Sequence, residues 1–155
     1  MNMEEARKEL AGYWYAEKVI KDGEFKLIDY RSRANKLTAT YQLQEGGRTN
    51  DVSNRLADYA ILAAQEVDEI GAELKALKER NTLIRKVIFE RMYGKYQMIL
   101  AETYIYGMKP KEVAEEIDVD LKHLYHERDR AISIYAKIRS ENAWKKHEKI
   151  DDKVV

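Results

Sequence analysis

One apolar repeat sets the scale of this protein. From Leu56 through Ala60, Ala63, Val67, Ile70, Leu74, Leu77, Asn81 and Ile84 to Ile88, the residues step by four and three without interruption. That period keeps one stripe on one face of a helix, with Leu56 at a d position and Ala60, Val67, Leu74, Asn81 and Ile88 at a. Capped by Ser53 or Asp51 and running to about Met92, the helix would span about 40 residues, roughly 60 Å at 1.5 Å per residue. A helix of that length needs a second helix folded back on it, a partner chain, or both. The seam Leu56, Val67, Ile70, Leu74, Leu77, Asn81, Ile84 and Ile88 is therefore the candidate oligomerisation surface, and a homodimer is expected. Asn81, a lone polar residue at an a position, is the candidate for fixing register and oligomer state.

The flanking segments fit a helical protein. Met3 to Ile20 reads as a first helix with Leu10, Tyr13, Trp14 and Ile20 near one face, and Asp22-Gly23 as its end. Trp14, beside Tyr13 and Tyr15, reads as packing rather than a stacking platform. A second helix follows from Glu24 to Gln44, with Leu27, Tyr30, Ala34, Leu37 and Tyr41 at steps of three and four. Gly46-Gly47 then sits in a loop; no strand precedes it and no Gly-Lys-Ser/Thr follows, so it reads as a hairpin turn rather than a phosphate cradle. At the last turns of the long helix, Tyr93-Gly94-Lys95 breaks or kinks it. Ile99, Leu100, Tyr104 and Ile105 supply packing residues beneath what comes next.

That next segment is the chemically suggestive one. Gly107 closes a helix as a residue that tolerates a left-handed C′ position, and Pro110 suits a first helical turn. Val113, Ala114 and Ile117 stripe a helix of two turns. Asp118-Val119-Asp120 interrupts it, with Asp120 as N-cap of a longer helix lined by Leu124, Ala131, Tyr135 and Ile138. Two short helices joined by a three-residue turn, with small Ala114 at the approach, form a helix-turn-helix pattern. At 100° per residue the outward side chains of the second helix are Lys122, His126, Asp129, Arg130 and Ser133, with His123 and Tyr125 on the flanks. After Ile138 the chain turns polar, with Trp144 near the start of the tail.

Composition closes off other classes. A chain that is 45% hydrophobic and 36% charged, with one Pro, suits helices with broad solvated faces. No apolar run is long enough for a membrane span, and the polar N-terminus does not read as a signal peptide. Without Cys there is no disulfide framework or thiolate metal site, which fits a cytoplasmic protein. Lys+Arg and Asp+Glu balance at 28 each, which counts against strong nonspecific nucleic-acid binding. Enzymatic activity is not expected, and neither is a cofactor or a metal. His123 and His126 would need a further ligand from elsewhere, and Glu115 and Glu116 point apart on a helix.

The order of parts resembles small phage and mobile-element proteins of Gram-positive bacteria that end in a domain like region 4 of a sigma factor, and ArpU-type regulators of phage late transcription. The residues that carry the likeness are Ile99-Leu100, Tyr104-Ile105-Tyr106-Gly107-Met108 and the run from Lys111 to Ile117. Asp118-Val119, Leu124-Tyr125-His126 and Arg130-Ala131-Ile132 complete it. It covers about a quarter of the chain. Asp120 stands where Ser is commoner, and Glu127 where the family has an apolar residue. The resemblance implies base-edge contacts from Lys122 and His126, a phosphate contact from Tyr125, and promoter DNA and RNA polymerase as partners. The candidate DNA-contacting set is thus Lys122, His123, Tyr125, His126 and Arg130, with Lys111. The expected fold is all-α: a helical hairpin with a long coiled-coil-like helix over residues 1–92, a helix-turn-helix over 93–139 and a polar tail over 140–155. Two other functions fit the same elements: a protein-interaction module using the acidic helix from Glu112 to Ile117, and a phage DNA-packaging recognition subunit. The packaging class usually carries its helix-turn-helix at the N-terminus.

Overall fold

The chain starts on a reciprocal cap. Asn2 Oδ1 accepts from the Glu5 amide at 2.8 Å, and the Asn2 amide donates to the Glu5 carboxylate at 2.8 Å. Two donors that a helix start leaves unpaired are thereby satisfied, and α1 (Met3–Ala11) follows. The computed structural model describes the backbone of residues 1–44 and 50–151 and the side chains of 1–40 and 54–141. Among these residues the regular structure is entirely helical. The loop at Gly46-Gly47 lies outside them, as do the side chains of Asp51, Ser53 and Trp144.

The first helix boundary falls earlier than the sequence predicts. The chain breaks at Gly12, and α2 (Tyr13–Gln44) runs through Asp22-Gly23 without a stop. At this point Arg80 and Asn81 donate to the carbonyls of Gly12 at 3.5 Å and Tyr13 at 3.3 Å. Gly23 has a different use. A Cβ there would lie 2.5 Å from Leu74 Cδ2, so it is the point where α2 admits the following helix.

That helix, α3 (Asn50–Lys86), is the long one expected, and it widens into a π-helical turn over Val87–Arg91 before ending at Met92. Gln97 donates its amide to the carbonyls of Ile88 at 3.0 Å and Phe89 at 3.1 Å, pairing acceptors that the helix end would otherwise leave open. Met92 and Tyr93 are extended, and Gly94 takes φ +64°, a left-handed conformation that glycine adopts without a steric penalty. The helix is broken here rather than bent.

Beyond the break come α4 (Gly94–Leu100), a second π-helical segment (Ala101–Ile105), α5 (Pro110–Glu116) and α6 (Leu121–Asp151). Gly107 at φ +66° closes the second of these, as its position predicts. The turn between α5 and α6 is a Schellman motif. The Val119 amide donates to the Ala114 carbonyl at 3.0 Å, the Asp118 amide to Glu115 at 3.3 Å, and Asp118 itself sits at φ 56°. Asp120 then caps α6, accepting from the His123 amide at 2.6 Å.

Packing divides the chain into two units: Met1–Ala16 with Arg80–Val155, and Glu17–Glu79. These cuts fall elsewhere than the regions read from the sequence. The first unit has one core of Leu10, Ile84, Ile88, Leu100, Ile132 and Tyr135 with their neighbours, and a smaller one of Ile99, Val113, Ala114 and Leu124. A half-buried ion pair joins α1 to α6. Arg139 holds both Glu9 oxygens at 2.8 Å, and the Tyr135 hydroxyl donates to the same carboxylate. At the C-terminal end of the seam Asn81, Ile84 and Ile88 are fully buried within this unit, and Asn81 donates its side-chain amide to the Tyr13 carbonyl at 3.3 Å. In the second unit Leu74 is buried against Gly23, while Leu56, Val67, Ile70 and Leu77 remain half-buried.

Candidate nucleic-acid interface

The first turns of α6 expose a mixed face whose phase follows from its buried residues. Leu124, Ala131 and Tyr135 point inward and are at most 1% exposed. Helical geometry then turns Lys122, His123, Tyr125, His126 and Arg130 outward, and all five are exposed, as is Lys111 on α5. Among the described residues Lys122, His126 and Lys111 make no ion pair. Their donors are open to a ligand.

Two acidic side chains on or near this face are already neutralised. Asp129 would oppose a polyanion, but Arg7 of α1 meets it at 2.8 Å. Glu127 stands where an apolar residue is expected, and its side chain is only 3% exposed. Lys95 Nζ reaches it at 3.0 Å, Arg130 at 3.0 Å and His123 at 3.6 Å. A buried carboxylate is tolerated when cations and hydrogen bonds compensate it. The Lys95 hydrogen bond outweighs burial and holds this carboxyl below the usual carboxylate range. Glu127 thus gathers Lys95, Arg130 and the His123 ring along one edge of the exposed face. Arg128 stacks over the Tyr125 ring at 4.9 Å and restrains that side chain as well.

Arg7, Lys95, Arg128 and the clamping role of Glu127 are absent from the residues picked by sequence. The His123, Glu127 and Arg130 spacing of four and three carries a local signal for the last of these. Arg7 and Lys95 carry none, because their partners lie far along the chain.

A buried carboxyl lies behind α5. Glu102 is 9% exposed, and burial, the Glu116 hydrogen bond and the Glu116 charge together push it up to about 7. A second surface of the same unit is aromatic. Trp14 lies against Gly107, where a Cβ would sit 3.1 Å from its ring, and Phe89 and Tyr106 stand 6.5 Å apart beside it. All three rings are exposed.

No protein-family model, curated protein or solved structure matches this chain. Among the described residues no helix is long and apolar enough to cross a membrane.

Proposed function

We propose that this protein is a transcription regulator of the phage type that binds duplex DNA through a sigma region 4-like helix-turn-helix, with α5 as the supporting helix and α6 as the reader. One observation carries the reading. The outward face of α6 presents unpaired Lys122 and His126 beside Arg130, while the nearby carboxylates of Asp129 and Glu127 are occupied by cations of the same chain. Lysine suits the guanine acceptors of a major groove, and Tyr125 and Lys111 suit flanking phosphates. The short α5, the Schellman turn and the Asp120 cap support the helix-turn-helix assignment.

The test is selection of bound fragments from a random duplex pool, followed by anisotropy titration of the winner. Wild type should enrich a defined sequence. Lys122→Ala should lose about 1–3 kcal/mol on it and relax preference at one position. No enrichment, with or without RNA polymerase, contradicts DNA reading.

A second reading rests on the aromatic surface of Trp14, Phe89 and Tyr106. Rings of this kind are enriched at protein interfaces, and RNA polymerase is the partner that the regulator reading calls for. In this version the unit binds a protein and contributes little DNA affinity of its own. Trp14→Ala would then abolish polymerase capture that Lys122→Ala leaves intact.

A further inference from the structure

The second unit is the part of the chain with the least complete burial. Two helices side by side form a single layer, which covers each apolar stripe from one direction only. Leu56, Val67, Ile70 and Leu77 on α3 therefore remain half-buried, as do Leu27 and Leu37 on α2.

Beside that seam α3 carries another, shifted by one residue: Ile61, Ala64, Asp68 and Gly71 follow steps of three and four. Ile61 is 56% exposed, and a Cβ on Gly71 would meet nothing within 4 Å. Glycine weakens a helix interior, yet nothing among the described residues uses the space that this one leaves. On α2, Ile28 is 67% exposed and Arg31 is exposed as well.

Levels along the hairpin follow from the approach of Leu74 to Gly23. Moving along α2 to Arg31 advances about 12 Å, and moving back along α3 to Asp68 about 9 Å. These two residues therefore lie within one turn of the same level, and so do Ile28 and Gly71. Among the described residues neither Arg31 nor Asp68 makes an ion pair. The surrounding charge is segregated. Between Tyr30 and Thr40 every charged residue of α2 is basic, and between Leu56 and Leu74 every charged residue of α3 is acidic.

We propose that this face takes a second copy of the chain. Two hairpins pack face to face about a two-fold axis parallel to their helices, with α2 of each lying antiparallel on α3 of the other. That rotation preserves level. It sets Arg31 of one copy against Asp68 of the other, and Ile28 over the open position at Gly71. The product is a four-helix bundle in which all neighbouring helices are antiparallel, and the half-exposed seam becomes its core. The proposal is independent of how α6 is used.

The experiment measures the mass of the full chain by sedimentation equilibrium, with circular dichroism as a folding control. Wild type should be a dimer. Arg31→Glu and Asp68→Arg should each raise the dimer Kd by roughly tenfold or more, since each sets like charges face to face twice. An equimolar mixture of the two variants should recover wild-type affinity, because one contact is then native and the other is its reversed pair. A contact within one chain cannot be rescued by mixing. Ile61→Glu should weaken the dimer with or without mixing. A wild type that stays monomeric, a dimer indifferent to either charge reversal, or a mixture no tighter than its components overturns the proposal.

Discussion

Asn81 shows how one residue can fit two opposite accounts. By sequence it is a polar interruption of a coiled-coil seam, and replacing it with an apolar residue should then raise stability. Its burial and its bond to the Tyr13 carbonyl reverse that expectation. Asn81→Leu should lower stability by about 1–3 kcal/mol in urea titration, the cost of leaving a buried group unpaired; a rise would restore the seam account. Glu102 makes a prediction in pH. Its folded pKa of about 7 exceeds the ordinary 4.5, so the folded chain holds this proton more tightly than the unfolded one. The associated stability is complete below pH 4.5 and is lost as pH rises through about 7. Melting temperatures of wild type should fall across that window, and Glu102→Gln should flatten the fall; parallel profiles would show that the Glu102 and Glu116 pair does not matter. The helical phase of Lys122, His126 and Arg130 was legible in the sequence because it depends only on neighbours within two turns. The pairing of Asp129 with Arg7 was not, since it joins residues at opposite ends of the chain.

Among the elements, boundaries were harder to read than the helices themselves. Gly23 looks like a helix end, because glycine after aspartate usually is one. Only the seat of Leu74 on it shows that a missing side chain can serve packing inside a helix. The two breaks around α4 were legible, since Gly94 and Gly107 interrupt otherwise continuous apolar patterns. Gly94→Ala should destabilise by about 1–2 kcal/mol, the cost of a left-handed residue carrying a Cβ. The site offers open space, so a stabilised variant would mean that the helix runs straight through. Asp118 is the mirror case, a non-glycine at φ 56°. Asp118→Gly should be neutral or stabilising by up to about 1 kcal/mol, and Asp118→Val should destabilise; chemical denaturation separates the two. A loss on Asp118→Gly would show that the aspartate side chain contributes more than the backbone conformation costs.

For the whole molecule, the balanced net charge must be reconciled with the DNA-reading face proposed for α6. Lys+Arg and Asp+Glu cancel over the chain, yet on α6 the acids nearest the face are neutralised by Arg7 and Lys95, which leaves Lys122 and His126 open. A small footprint releases few counterions, so binding should depend only shallowly on salt and should lean on dimerisation or on polymerase for strength. The long helix was legible as an element, but its division was not. Periodicity runs unbroken from Leu56 to Ile88, while packing assigns the two ends to different units. The most direct test of DNA reading by α6 is the salt dependence of binding to the selected duplex, for wild type and Arg130→Ala side by side. DNA contact through this face predicts a linear fall of log affinity with log salt, with a slope smaller by about one unit in the variant. Equal slopes for the two proteins, or no measurable binding by either, would contradict it.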